Sequence, residues 1–148
     1  DYHLALGDPG HFGNEPVPGL NMGKHADGND DASVYGYKVA PSFWDTDGRA
    51  TSLSDNLRQE YVAQTGMRLN PTITSNMTQY YAFNFQRFVH ALDKDTPGAL
   101  IEVGFITNPG DRGLITKRSS TAAQGIANGI KSFLAGKQAP TLAPTTYP

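Results

Sequence analysis

The segment Pro97 to Asp111, PGALIEVGFITNPGD, constrains the fold more than any other part of the chain. Its core, Ala99 to Ile106, is apolar enough to read as a buried strand, and Asn108, Pro109 and Gly110 end it with a turn leading into a short helix. Glu102 sits in the middle of that strand. A carboxylate there is costly unless something pairs with it or uses it. Alternation along a strand puts Glu102 on the face of Leu100 and Gly104, opposite Ile101, Val103 and Phe105. Gly104, lacking a side chain, then leaves room for a substrate backbone beside the carboxylate. Two readings of Glu102 stand: an ion pair with Arg112 or Lys94, or a working carboxylate.

Other elements alternate around this strand. Tyr2 to Leu6 reads as a first strand and Ser33 to Ala40 as a second, with Gly7 to Gly28 loop-like between them. TSLSDNLRQEYVAQTG is an amphipathic helix with Leu53, Leu57 and Tyr61 four apart, Ser52 and Asp55 as a capping box, and Gly66 as its stop. YYAFNFQRFVHAL is aromatic and fits strand or helix equally. In STAAQGIANGIKSFLAG, Ala122, Ile126, Ile130 and Phe133 share a helical face, with Thr121 and Gln124 as a second capping box. Strands alternating with helices imply an α/β fold, a mostly parallel twisted sheet flanked by helices. The expected organisation is one domain over residues 1–136 and a Pro/Thr-rich linker stub over 137–148.

Composition narrows the chemistry. With 148 residues the chain supports one real core, and 12 basic against 14 acidic residues, without runs, offer no nucleic-acid groove or electrostatic membrane anchor. No apolar run reaches the ~20 residues of a membrane span. The absence of cysteine excludes thiolate zinc sites, disulfides and a cysteine nucleophile, so any metal falls to His and carboxylates. His11, in DPGHFG directly after the first strand, can project from a tight turn at a strand's carboxyl end; alone, the motif is as easily a surface turn. His25, in KHADGND, has Asp27, Asp30 and Asp31 close by to orient its ring. His3 and His90 have no such setting. Two histidines on loops plus a strand glutamate match the parts of a hydrolytic zinc site, and no HExxH motif is present.

At this point the sequence resembles the zinc-dependent N-acetylmuramoyl-L-alanine amidases of the type 3 class, found in cell-wall hydrolases and endolysins. ALIEVGFITNPGDRGLI resembles the family's strand-glutamate motif, HADGNDDASVYGYKV its His-Ala-Asp/Asn-Gly loop and following strand, and DPGHFG its opening metal motif. The resemblance implies that His11 and His25 bind zinc and that Glu102 is the catalytic carboxylate. It also implies a third ligand, a glutamate between the two histidines. Glu15 is the one glutamate there, with Asp27 as the fallback. The 18 residues separating Leu6 from His25 are too few for the family's helix and strand, so the fold is expected to be shortened near the N-terminus.

The implied activity is hydrolysis of the amide between N-acetylmuramic acid and L-alanine in peptidoglycan, by a secreted, cell-wall or periplasmic monomer, or by a phage enzyme released into the host envelope. Phe12, Tyr35 and Trp44 are candidates to pack on sugar or stem peptide. Two rivals remain open: a peptidoglycan-binding module with an incomplete site, and a zinc peptidase acting within the stem peptide.

Overall fold

A computed structural model describes residues 2–6, 19–89, 91–137 and 139, the first five by their backbone alone. His11 and Glu15, in the segment 7–18, and the linker tail from residue 140 onward lie outside the described residues, as does His90.

One four-stranded sheet has the order β1-β2-β4-β3, with β1 Tyr2–Leu6, β2 Leu20–Asp27, β3 Lys38–Pro41 and β4 Gly98–Phe105. The two central strands β2 and β4 run parallel, and β1 and β3 pair antiparallel at the edges. The expected α/β architecture with a helix-flanked sheet is present, on a sheet of mixed pairing. Every residue of β4 is buried. That explains its almost unbroken apolar sequence, since both faces of a central strand are covered.

β2 is the element the sequence hid. His25 was expected on a loop, yet LNMGKHAD is a strand with Leu20 and Met22 in the core. Asn21 and Gly23 are poor strand formers, but pairing with β4 from Asn21 to His25 gives their backbone groups partners, and tertiary context overrides propensity.

Helices α1, Arg49–Thr65, and α4, Ser119–Leu134, pack on one face of the sheet. Leu53, Leu57 and Tyr61 meet Ile126 and Ile130 over Ile101, and each fully buried aliphatic side chain contributes roughly 2 kcal/mol. Neither expected capping box forms. α1 begins ahead of Ser52, and the Asp45 carboxylate accepts the amides of Ala50 and Thr51, both at 2.8 Å. Asp55 instead pairs with Arg58 at 2.8 Å. α4 begins ahead of Thr121, and Gln124 bonds Asn128 one turn on. Gly66 ends α1 in the left-handed conformation, as expected.

The opposite face is covered by α2, Ser75–Thr78, and a 3-10 turn at Tyr81–Phe83. Met77, Ala82 and Phe83 pack there on Ala40 and Leu100. The ambiguous aromatic stretch therefore resolves into turns rather than a long helix or strand. Among the described residues, no helix is long and apolar enough to cross a membrane.

Candidate active site

The parallel pair β2 and β4 sets His25 directly opposite Glu102. Both side chains rise on the α2 face, near the carboxyl ends of their strands, where open α/β sheets place their sites. His25 Nδ1 lies 3.8 Å from Glu102 Oε1, and Nε2 lies 3.1 Å from the Tyr80 hydroxyl. The Tyr80 ring stands edge-on to the imidazole, with centroids 4.9 Å apart. Gly23, two residues before His25 on the same face, makes this possible: a Cβ there would already touch Tyr80 Cε1 at 3.5 Å, so a longer side chain would push the ring away.

Neither ion pair envisaged for Glu102 forms. Arg112 donates to the carbonyl of Ile106, and Lys94 pairs with Asp95. The neighbours of Glu102 are Lys38, opposite it on β3, and Asp27, which bind each other at 2.6 Å. Glu102 is 9 % exposed, and its Oε2 is buried without a hydrogen-bond partner. Burial, and secondarily the negative charge of Asp27, push its carboxyl up from 4.5 to about 7, while Lys38 pulls the other way. Such a group can both accept and return a proton near neutrality.

His25, Asp27, Lys38, Asn76, Tyr80 and Glu102 line a cavity of about 360 Å³. A larger groove of about 840 Å³, between α4 and the other face of β2, is lined mostly by Met22, Val103, Ile126, Ile130 and alanines. Among the described residues that line it there is no carboxylate or imidazole.

Strict alternation fails at Gly104. It takes φ 147°, and a Cβ there would sit 2.8 Å from Met67 Cε and 3.2 Å from Asp111 Cβ. Gly104 is therefore packed against the protein and leaves no room for substrate. The register slips by one residue between His25 and Asp27, and the Phe105 ring comes 4.8 Å below the Lys38 ammonium. Beyond the strand, Asn108 caps α3, Pro109–Lys117, by accepting the amides of Gly110 and Asp111. The buried Asp111 carboxylate takes the amides of Gly36 and Phe105 at 2.8 and 2.9 Å. The Asn-Pro-Gly-Asp sequence thus braces the end of β4 rather than entering the chemistry.

Of the proposed zinc ligands, His25 alone is among the described residues. Asp27, the fallback, is occupied by Lys38 and by the amide of Gly28. Among the described residues no group of three His, Cys, Asp or Glu could hold a metal ion. The donor chemistry still fits in part: one imidazole with a nitrogen toward Glu102, its other nitrogen held by Tyr80, and a buried carboxylate oxygen without a partner. Neither described aromatic candidate for substrate packing lines the cavity; Trp44 packs between Phe43 and Phe85, and Tyr35 lies against Arg68. Lys38 and Tyr80 were missed. A lone lysine within the apolar run Tyr37 to Ala40 was a usable signal; Tyr80 gave none.

Comparison with known proteins bears on this geometry. Residues 8–132 match the N-acetylmuramoyl-L-alanine amidase family, and that span includes both histidines and Glu102. The chain belongs to the N-acetylmuramoyl-L-alanine amidase family. No curated protein matches it. Several solved amidases share the fold. The N-acetylmuramoyl-L-alanine amidase of Clostridium difficile 630 superposes with a TM-score of 0.57 at 22% identity, over 78% of this chain and 57% of that one. The amidase of Mycobacterium smegmatis gives 0.55 at 22%, over 78% and 54%. The catalytic domain of CwlV from Bacillus (Paenibacillus) polymyxa var. colistinus gives 0.53 at 19%, over 78% and 57%. This amidase-family chain therefore spans a little over half the length of the solved relatives it matches.

Proposed function

We propose that this chain hydrolyses the amide joining N-acetylmuramic acid to L-alanine in peptidoglycan, as a zinc-dependent amidase working outside the cell or within its envelope. The observation that supports this most is the buried, partnerless Glu102 oxygen beside His25, in a chain of this family. His25 would hold zinc together with His11 and Glu15 from the segment 7–18. The metal, when bound, supplies carbonyl polarisation and a water acidified from about 15.7 toward ~7.

The remaining work falls to the chain's own residues. Glu102, with a carboxyl near 7, takes the proton of the attacking water and returns it to the departing alanine nitrogen. General base and then general acid catalysis of this kind is worth on the order of a hundred- to ten-thousand-fold. Tyr80 fixes the imidazole plane, and Lys38 neutralises Asp27 so that a second carboxylate does not repel the developing oxyanion.

A second reading is favoured by one feature of the topology. β1 runs antiparallel to β2, so Leu6 pairs with Leu20, and His25 lies five residues further along β2, roughly 17 Å away. A site that His11 and Glu15 do not reach would leave a peptidoglycan-binding module. Purified sacculi distinguish the two. The amidase releases new L-alanine amino termini, loses them with Glu102→Gln or a strong chelator, and regains them with added zinc. Sacculus binding without release by the zinc-loaded wild type would overturn the catalytic reading.

A further inference from the structure

Resting on the reading of Glu102 as the catalytic carboxylate, we propose that Tyr61 is a positioning residue, which fixes Glu102 opposite His25 from the far side of the sheet by anchoring a bulge in β4.

β4 carries one residue more than β2 can match. His25 pairs with Glu102 and Asp27 with Phe105, so two steps along β2 correspond to three along β4. The extra residue falls just past Glu102, at Val103 and Gly104, where Gly104 takes φ 147°. A bulge of this kind leaves backbone groups unpaired and re-aims the side chains around it. Here it brings Phe105 onto the face of Glu102, beneath the Lys38 ammonium at 4.8 Å. Its place along the strand matters, because moving it by one residue would put Val103 opposite His25 in place of Glu102.

Two side chains from outside the sheet hold the bulge where it is. The Asp111 carboxylate accepts the amide of Phe105 on one side, and the Tyr61 hydroxyl donates to the carbonyl of Val103 at 2.8 Å on the other. Tyr61 is fully buried on α1, and its ring is clamped. The Tyr37 ring lies 4.8 Å away, and a Cβ at Gly125 of α4 would stand 3.0 Å from the Tyr61 Cα and 3.2 Å from its Cδ2. Met67, whose Cε closes on Gly104, brings its sulfur to 3.9 Å from the same hydroxyl. Packing alone does not require that hydroxyl. A phenylalanine would fill the same space with no oxygen to bury, and a buried hydroxyl is costly unless bonded. The oxygen meets the carbonyl at the start of the bulge, one residue past Glu102, and so ties the register of the site to α1.

The test compares two tyrosines. Tyr61→Phe removes the hydroxyl bonded to β4, whereas Tyr37→Phe removes one that donates to the Arg58 carbonyl of α1, also at 2.8 Å. Both variants keep the ring, so both should fold and lose similar resistance to urea. On a soluble muramoyl peptide, Tyr61→Phe should lower kcat about ten- to a hundred-fold at unchanged KM and zinc content, the range a misplacement of about 1 Å costs. Tyr37→Phe should keep the wild-type kcat. In amide NMR spectra of the metal-free proteins, Tyr61→Phe should move the signals of His25 and Asp27, on the strand beyond β4, and Tyr37→Phe should leave them in place. Equal kcat in the two variants, or unmoved His25 and Asp27 signals in Tyr61→Phe, would overturn the positioning role. A wild type that releases no L-alanine termini would count against the catalytic reading, and the spectra would then decide by themselves whether Tyr61 sets the register.

Discussion

Replacing Glu102 by glutamine should make the metal-free protein more stable in alkaline solution, although it removes the proposed catalytic group. Glu102 has its carboxyl raised from 4.5 to about 7 by burial and by Asp27. Between those values the folded chain holds a proton that the unfolded chain has lost, so stability falls as pH rises through this window, and the loss is complete above about 7. A shift of this size corresponds to roughly 3.4 kcal/mol, and solvent reaching the carboxylate through the cavity reduces the usable figure to about 2 kcal/mol. For a chain of this length that is on the order of 6 °C in Tm. The assay is thermal unfolding of both proteins, stripped of metal, from pH 5 to 8.5. Taking the difference between them cancels every other titrating group. The Tm values should nearly coincide at pH 5 and separate in favour of the variant by pH 8. Parallel curves, or a wild type more stable than the variant at pH 8, would refute the assignment of Glu102 as a strained, buried carboxylate.

Lys38→Met should move the acidic limb of the kcat/KM profile to higher pH, because Lys38 is what holds the Glu102 carboxyl down; an unmoved or acid-shifted limb contradicts this. Tyr80→Phe removes the hydroxyl at His25 Nε2 and should lower kcat about tenfold, as loss of a partner that orients a ligand does, with the urea midpoint unchanged. Gly129→Val should cost about 2 kcal/mol in urea unfolding, since even a Cβ at this position would lie 2.8 Å from Leu57 Cα across the α1 and α4 contact. A wild-type midpoint would show that the two helices can separate without penalty.

What the sequence revealed depended on how much each residue's environment dictated its type. β4 was legible because a central strand must be apolar on both faces, so Glu102 stood out as the exception. The faces of α1 and α4 were legible from four-residue spacing, and Gly66 from the handedness a helix end requires. The α1 capping box failed because Asp45, several residues upstream, accepts the first α1 amides, and the α4 box because that helix begins ahead of Thr121. β2 was hidden because its stability comes from neighbours on both sides rather than from its own Asn and Gly. Gly104 misled for a related reason: a glycine in a strand marks either an opening or a close approach, and the approach of Met67 and Asp111 is not local. Of the site, Glu102 and His25 were visible from sequence, whereas Lys38 and Tyr80 arrive through pairing and a distant turn.

The two hydrogen bonds accepted by Asp111 have a consequence for how the molecule breathes. One carboxylate oxygen holds the amide of Gly36, on the approach to β3, and that of Phe105, at the end of β4. A movement of this carboxylate releases both amides at once. Where opening proceeds through that movement, the two segments should lose hydrogen-exchange protection together. The expected outcome is a collective opening of these strand ends in place of independent fraying, and clearly different exchange rates for the two amides would contradict it.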